Sequence, residues 1–548
     1  MDKPKSTSVH SINTATEHAA HPTTPPIQTI ARTKKDADYV FYELTRSICP
    51  ECRRVIDAQI LLRENKVYMR KRCPEHGLFE GLVYSDAAAY AANARFNKPG
   101  TIPLEFSTSI EHGCPHDCGL CPDHQQHTCL GIIEINSACN MSCPLCFADA
   151  GSGFNLTLSE VEDILDQLVA TEGNPEVVQF SGGEPSIHPQ IIAMIKAAKQ
   201  RNIRHVMLNT NGKRIADDDE FLRQLGALRP SIYFQFDGFT KETYRLLRGE
   251  PDILPQKLRA LDRLAEIGAH VVLVPAIERQ VNLHEVGAIV DFGLKHPAVR
   301  GINFQPAFQS GRHGESDPMQ RLTIPDILKA LEEQTNNTLM VSDFVPVPCC
   351  FPTCNSVTYI LNDGDTVVPM TRILNVGDYL DYITNRAVPD LSEDIKTALE
   401  GLWSSSAVPG SDKAAQQFAL SCSACDLPSG FDLGTFAKNI FMVMLQDFMD
   451  PWTFNQKNLM KCCKEILLPD GKQIPFCAYN NVGYREQART QLQAREQQRN
   501  QAKRAGVPFV PKPLTFSFEP VAPAQNTPMQ ANSITGNEPE SPVHSWQG

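Results

Sequence analysis

Between residues 130 and 338 short apolar runs alternate with longer amphipathic ones. The runs GIIEINSAC, EVVQFSGGEP, HVMLNTNG, SIYFQFDG, HVVLVPAIE and GINFQPAF are rich in β-branched and aromatic residues and end in turn formers, so they read as strands. TLSEVEDILDQLVATEG, PQIIAMIKAAKQRN and DILPQKLRALDRLAEIG, which lie between them, repeat apolar residues at helical spacing. Thr157 with Glu160 three residues on makes a capping-box pattern, and Gly173 and Gly268 stand where two of the helices should close. Six successive βα units predict an α/β fold, a parallel sheet curled into a partial (β/α)6 barrel. In such folds reactive groups collect at the C-terminal ends of the strands.

The pattern changes on both sides of this core. Residues 1–35 carry few large apolar side chains and predict a disordered N-terminus. Residues 36–129 and 339–483 are cysteine-rich flanks that read as metal-binding and iron-sulfur domains, and 484–548 form a polar, Pro-rich tail that cannot build a core and is expected to be disordered, within which REQARTQLQAREQQRNQAKR has the composition of a solvated helix. The segment GTFAKNIFMVMLQDFMDPWTFNQKNLMK is dense in Phe and Met and reads either as a helix packed in the core or as the lining of an apolar tunnel.

Length and charge narrow the class. A chain of 548 residues exceeds what one core serves, so several domains are expected. A net charge of −12 disfavours electrostatic wrapping of nucleic acid. There is no apolar leader and no run long enough to span a bilayer, which predicts a cytoplasmic protein whose only membrane contact would be peripheral.

Eighteen cysteines change the picture further, because grouped cysteines in a reducing compartment signal metal rather than disulfides. Cys139, Cys143 and Cys146 form a C-x3-C-x2-C array directly after the first strand of the series. Three thiolates can hold three irons of a [4Fe-4S] cluster and leave the fourth iron open, whereas a closed zinc site takes four ligands. Upstream, CPEC (Cys49, Cys52) and CPEH (Cys73, His76) are two turns that point ligands at one ion, zinc or iron, with the fourth ligand either His76 or a cysteine from elsewhere. Cys114, Cys118 and Cys121 repeat the triad spacing, with Cys129 available as a fourth ligand. A fully ligated auxiliary cluster fits them, with a zinc site as the alternative. Downstream, Cys349, Cys350, Cys354, Cys422, Cys425, Cys462, Cys463 and Cys477 are eight thiols for one further cluster.

The triad followed by Phe147 resembles the signature of the radical S-adenosylmethionine (SAM) superfamily, and SGGEP at the end of the second strand resembles that family's second motif. The resemblance implies that the open iron takes the amino and carboxylate groups of SAM, that Gly182 and Gly183 let backbone approach it, and that Glu184 meets its amino group. Reductive cleavage would then give methionine and a 5′-deoxyadenosyl radical, with an electron donor such as ferredoxin or flavodoxin as partner. Asn209, Thr210 and Asn211 on the third strand end and Gln235 and Asp237 on the fourth are candidates for SAM or substrate, the alternative being plain turn chemistry. Ile277 and Asn282 are candidates to flank the adenine, and His188 reads as a capping or packing residue. No catalytic acid or base is assigned.

The whole layout over roughly residues 38–480 is similar to a subfamily containing archaeal tetraether lipid synthase and the methanogen 7,8-dihydro-6-hydroxymethylpterin methylase. That resemblance implies one or two auxiliary [4Fe-4S] clusters, one mononuclear iron or zinc, and chemistry at an unactivated carbon of a lipid or small-molecule substrate. Lipid alkyl-chain coupling is the first expectation and methylation of a pterin the alternative. From a different class, a multi-cluster electron-transfer protein would have no use for SGGEP.

Overall fold

The computed structural model describes residues 36–517 except 152, 349, 363–366 and 373–439, so Cys349, Cys422, Cys425 and the expected N-terminal disorder lie outside the described residues. Tyr39 onward forms one compact unit, and of a separate unit ending at Asp38 only the last three residues are described.

The N-terminal flank is a four-stranded antiparallel meander of β1 (Val40–Ile48), β2 (Val55–Arg63), β3 (Lys66–Cys73) and β4 (Gly77–Tyr84). Glu64 and Asn65 both take positive φ (51° and 55°), the conformation a two-residue hairpin needs to match strand twist. The β1–β2 and β3–β4 turns carry the CPEC and CPEH motifs, so antiparallel pairing brings the two ligand pairs to the same end of the ribbon.

The series of βα units forms as expected, as β5 (Leu130–Asn136), β6 (Val177–Gly182), β7 (His205–Thr210), β8 (Ser231–Gln235), β9 (Val271–Val274) extended by β10 (Ala276–Ile277), and β11 (Val299–Pro306). The strands pair in parallel, β5 to β6 and so on to β11. All of β5 and β6 is buried, as sheets covered on both faces require. Both capping-box hydrogen bonds of Thr157 and Glu160 are present at the start of helix Leu158–Glu172, which Gly173 closes at φ +70°. Gly268 follows helix Leu254–Glu266 at φ +63°.

The C-terminal flank adds to the same sheet instead of standing apart from it. β12 (Val345–Pro346), β13 (Asn355–Asn362), β14 (Val367–Pro369), β15 (Ile440–Gln446), β16 (Lys464–Leu467) and β17 (Gln473–Pro475) complete it. The strand order is β12-β13-β15-β11-β9-β8-β7-β6-β5-β16-β17. β15 pairs in parallel with β11 and β16 with β5, so residues from the last quarter of the chain extend the barrel wall at both edges. The core-helix reading of GTFAKNIFMVMLQDFMDPWTFNQKNLMK is thus corrected: Ile440–Gln446 is a strand, buried at every position. An unbroken apolar run gives no periodicity to separate a buried strand from a buried helix.

The polar tail is corrected as well. Tyr484–Ala505 is a helix, and it is packed rather than solvated: Tyr484, Arg485, Ala488, Leu492 and Arg495 are buried. Its arginines enter the interior by pairing with Glu134 and Glu160 and with backbone carbonyls. A hydrophobicity pattern counts such residues as solvent-facing.

Candidate functional site

The triad occupies the loop that leaves β5. Cys143 is buried, and Cys139 and Cys146 are half-buried. The loop is held by other loops: Cys146 exchanges backbone hydrogen bonds with Arg312 (2.8 and 3.0 Å), and the Arg312 Nε donates to Cys143 O (3.2 Å). Gly311, at φ +63°, passes so close that a Cβ there would sit 2.4 Å from Cys146 O. Burial pushes the Cys139 thiol up to about 11 and raises Cys143 too, against the pull of the Arg248 guanidinium. All three cysteines line one cavity at the barrel mouth together with Gly182, Gly183, Glu184, Asn209, Thr210, Asn211 and Gln235. Three thiols line this cavity and, among the described residues, no fourth does, which fits a cluster with one open iron.

The glycine pair has a local reason for being glycine. Cβ atoms at Gly182 and Gly183 would stand 2.1 Å from Asn136 O and Ala138 O, because Gly183 N and Glu184 N donate to those carbonyls at 2.9 and 2.8 Å. The two glycines therefore seat β6 against the backbone that carries Cys139. Glu184 is buried, accepting from Ser186 N (3.0 Å), Thr210 Oγ1 (2.8 Å) and Asn211 N (2.7 Å). Burial raises its carboxyl above the ordinary range, against those three donors. A buried carboxylate at the cavity wall suits the ammonium end of an amino acid.

The third and fourth strand ends divide. Asn211 bridges to the triad loop through Asn140 Oδ1 (2.8 Å), and Asn209 donates to Ser181 Oγ (3.1 Å). Lys257, fully buried and lowered to about 8 by burial, donates to Asn211 O, Gln235 O and Gln235 Oε1 at 3.1, 2.8 and 3.1 Å, locking the two ends together. Asp237 stands apart from the cavity: it takes a bidentate pair from Arg248 at 2.7 and 2.5 Å and accepts from Ala276 N. Arg248, which sequence reasoning missed, lines the cavity and donates its Nη1 to Leu145 O between two of the triad cysteines. The only hint was an acid in FDG that required a partner. Ile277 and Asn282 do not line the cavity; Asn282 ties Glu278 N, Ala276 O and Asp237 O. His188 packs as expected, between Leu156 O and Gln190 N.

The same cavity is lined by two further kinds of side chain. Gln179, Tyr233, Gln305 and Gln446 present neutral polar groups, with Gln305 Nε2 donating to Tyr233 Oη at 3.0 Å. Phe147, Phe308, Phe448 and Phe476 line it too and close a ring of aromatic contacts with centroids 4.6–6.0 Å apart. Lys464 also lines the cavity and donates to Asn355 Oδ1 (2.9 Å).

The other cysteines regroup. At the ribbon end, Cys49 Sγ lies 3.7 Å from His76 Nδ1, Cys52 Sγ 3.9 Å from Cys73 Sγ, and Cys73 Sγ 3.5 Å from His76 Nδ1, with all four ligand atoms within 4.8 Å of one another. A tetrahedral zinc with Zn–S of about 2.3 Å has edges of about 3.8 Å. His76 completes that set.

Cys129, by contrast, is not grouped with Cys114, Cys118 and Cys121. His124 bonds Cys462 O (2.7 Å) and Cys129 N donates to Cys463 O (3.0 Å), which carries Cys129 into a buried cluster with Cys350, Cys463 and Cys354. Cys350 and Cys463 Sγ are 2.9 Å apart. Cys118 is raised well above the thiol range, first by its hydrogen bond with Cys114, then by burial, with Cys114, Cys121 and Cys462 adding to it. Of the adjacent pair, Cys463 is buried with Cys129 and Cys350, while Cys462 is within electrostatic reach of Cys118 and also of Cys354 and the buried Cys477.

A barrel whose mouth carries an incomplete cysteine triad beside a buried GGE turn defines a radical SAM enzyme, and residues 133–293 match the model of the radical SAM superfamily. Residues 41–85 match that of the HMPTM N-terminal zinc ribbon domain. The chain is 32% identical over 481 residues to 7,8-dihydro-6-hydroxymethylpterin dimethyltransferase of Methanocaldococcus jannaschii, covering 81% of this chain and 94% of that protein. It is 28% identical to a probable GTP 3′,8-cyclase of Methanothermobacter marburgensis, over 31% of this chain and 55% of the cyclase. Among solved structures, SuiB of Streptococcus suis bound to its precursor peptide SuiA aligns with TM-score 0.33 at 17% identity, over 39% of this chain and 47% of SuiB. The chain belongs to the family of the M. jannaschii methyltransferase within the radical SAM superfamily.

Proposed function

We propose that this radical SAM enzyme methylates a small, flat nitrogen heterocycle of the pterin class. One observation carries the reading: the cavity that holds the triad is lined both by the neutral polar groups of Gln179, Tyr233, Gln305 and Gln446 and by four mutually packed phenylalanines. A pterin offers ring faces to stack and an edge of alternating donors and acceptors to bond. An alkyl chain could not bond whatever polar capacity the Gln305–Tyr233 and Asn303–Gln446 hydrogen bonds leave open, at about 1–3 kcal/mol for each group left unsatisfied. The lipid-coupling expectation has no comparable support, and the relative sharing most of the chain is named for a pterin substrate.

In this reading Cys139, Cys143 and Cys146 hold the [4Fe-4S] cluster, Glu184 receives the amino group of SAM, and Arg248 offsets the negative charge of the cluster loop. Cluster and SAM together supply a one-electron reductive cleavage that can activate a C–H bond. Phe308 and Phe448 stack the substrate while Gln305 and Gln446 fix its orientation. Cys114, Cys118, Cys121 and Cys462 form one auxiliary site, Cys129, Cys350, Cys354 and Cys463 another, and Cys49, Cys52, Cys73 and His76 a zinc site.

Anaerobic incubation with SAM, a strong reductant, a separate one-carbon donor (a second SAM, leaving S-adenosylhomocysteine, or a reduced folate) and 7,8-dihydro-6-hydroxymethylpterin should give methylated pterin by mass spectrometry, and alkyl glycerolipids in parallel should stay unchanged. Gln305→Leu should cut kcat/KM for the pterin roughly tenfold. Coupling of lipid chains with the pterin untouched would overturn the reading.

A further inference from the structure

The helix Tyr484–Ala505 lies outside the matched superfamily region and contributes nothing to the cavity lining, yet it bonds to both ends of the triad loop. Arg489 Nη2 donates to Glu134 Oε2 at 2.9 Å, and Glu134 sits on β5 before Cys139. Arg485 donates to Phe147 O, and Arg489 to Ala148 O and Asp149 O, the carbonyls that follow Cys146. Tyr479 Oη donates to the same Glu134 oxygen at 3.1 Å, and Arg485 lies over the Tyr479 ring at 5.5 Å. We propose that this helix is the clamp of the cluster loop, with Arg485 and Arg489 as positioning residues that fix the loop at both ends and place an excess of buried positive charge beside it.

The charge count supports more than a mechanical role. Two guanidiniums with side chains 5% and 15% exposed share one carboxylate, Glu134. Of the other acids nearby, Asp149 is paired with Arg312 (3.0 Å) and the half-exposed Glu486 with Arg53 (3.2 Å). Arg485 Nε and Nη2 and Arg489 Nε have no hydrogen-bond partner. Buried guanidinium nitrogens left without partners are costly, and a neighbouring anion repays that cost. The loop that they hold carries three cysteines, which become thiolates on binding iron. Adding an electron to a cluster there adds negative charge, so the clamp makes the cluster easier to reduce.

The same helix reaches the first auxiliary cysteine group. Tyr484 Oη accepts from Cys118 N at 3.0 Å and bonds Pro115 O at 2.9 Å. One helical turn thus touches the backbone of two cysteine loops.

The test uses the full-length protein and two variants of opposite charge effect. In cluster-free protein that keeps its zinc, Arg489→Met should speed amide exchange of residues 139–151 about tenfold or more while the zinc ribbon stays protected. After anaerobic reconstitution, EPR-monitored titration should find the midpoint potential of the triad cluster more negative in Arg489→Met and less negative in Glu134→Gln, with the other clusters unmoved. Loss of the triad cluster alone from Arg489→Met, with zinc and the remaining iron retained, would equally support the clamp. Unchanged loop exchange, or potentials that fail to move in opposite directions in the two variants, would overturn it.

Discussion

Cys143 is the most buried of the triad cysteines, and its backbone carbonyl is bonded by Arg312. Among the described residues no thiol of another group lines the cavity. Cys143→Ala should therefore abolish 5′-deoxyadenosine formation from SAM and remove about four irons, while zinc and the remaining iron persist, as read by product chromatography and elemental analysis. At this scale the sequence was informative where ligands are close in the chain: the three triad cysteines and the GGE turn meet in one cavity because one loop and one strand end carry them. It was silent on Arg248, whose role depends on meeting Asp237 across a βα turn. Asp237 itself was read toward the cavity and is consumed by that pair. Spacing could not bring Cys129 to Cys350 and Cys463 either, since which loops meet is decided by tertiary packing.

The zinc ribbon shows how an element makes a site. Two tight turns at one end of a four-stranded meander bring Cys49 and Cys52 against Cys73 and His76, so the ion position follows from strand register alone. The imidazole in that set favours zinc over a rubredoxin-type iron. His76→Ala should release one zinc per chain, seen by chelator titration, and leave sulfide content unchanged. Two elements escaped the hydropathy pattern for opposite reasons. β15 is apolar at nearly every position and so has no readable period, while Tyr484–Ala505 hides its contact face behind arginines whose stems and charges are both used in packing. Capping signals fared better, because Thr157 and Glu160 satisfy each other within one turn whatever lies beyond.

For the whole molecule, the sheet order has a consequence for the timing of folding. β5 and β11 would be the outer strands of a six-unit barrel, and each finds its second partner only in residues near the C-terminus, β16 and β15. During synthesis the barrel therefore waits with two bare hydrogen-bonding edges until some 440 to 467 residues have been made. Unpaired parallel edges recruit other chains. A fragment of residues 130–338 produced alone should form soluble aggregates or inclusion bodies, and co-expression of 339–548 should return a share of it to a monomer-sized complex by size-exclusion chromatography. A monodisperse, protease-resistant fragment would show instead that the six units close without help. The triad cysteines, by contrast, are complete by residue 146, so a chain that stops short of β15 and β16 carries all three of them on a sheet whose two edges are still open.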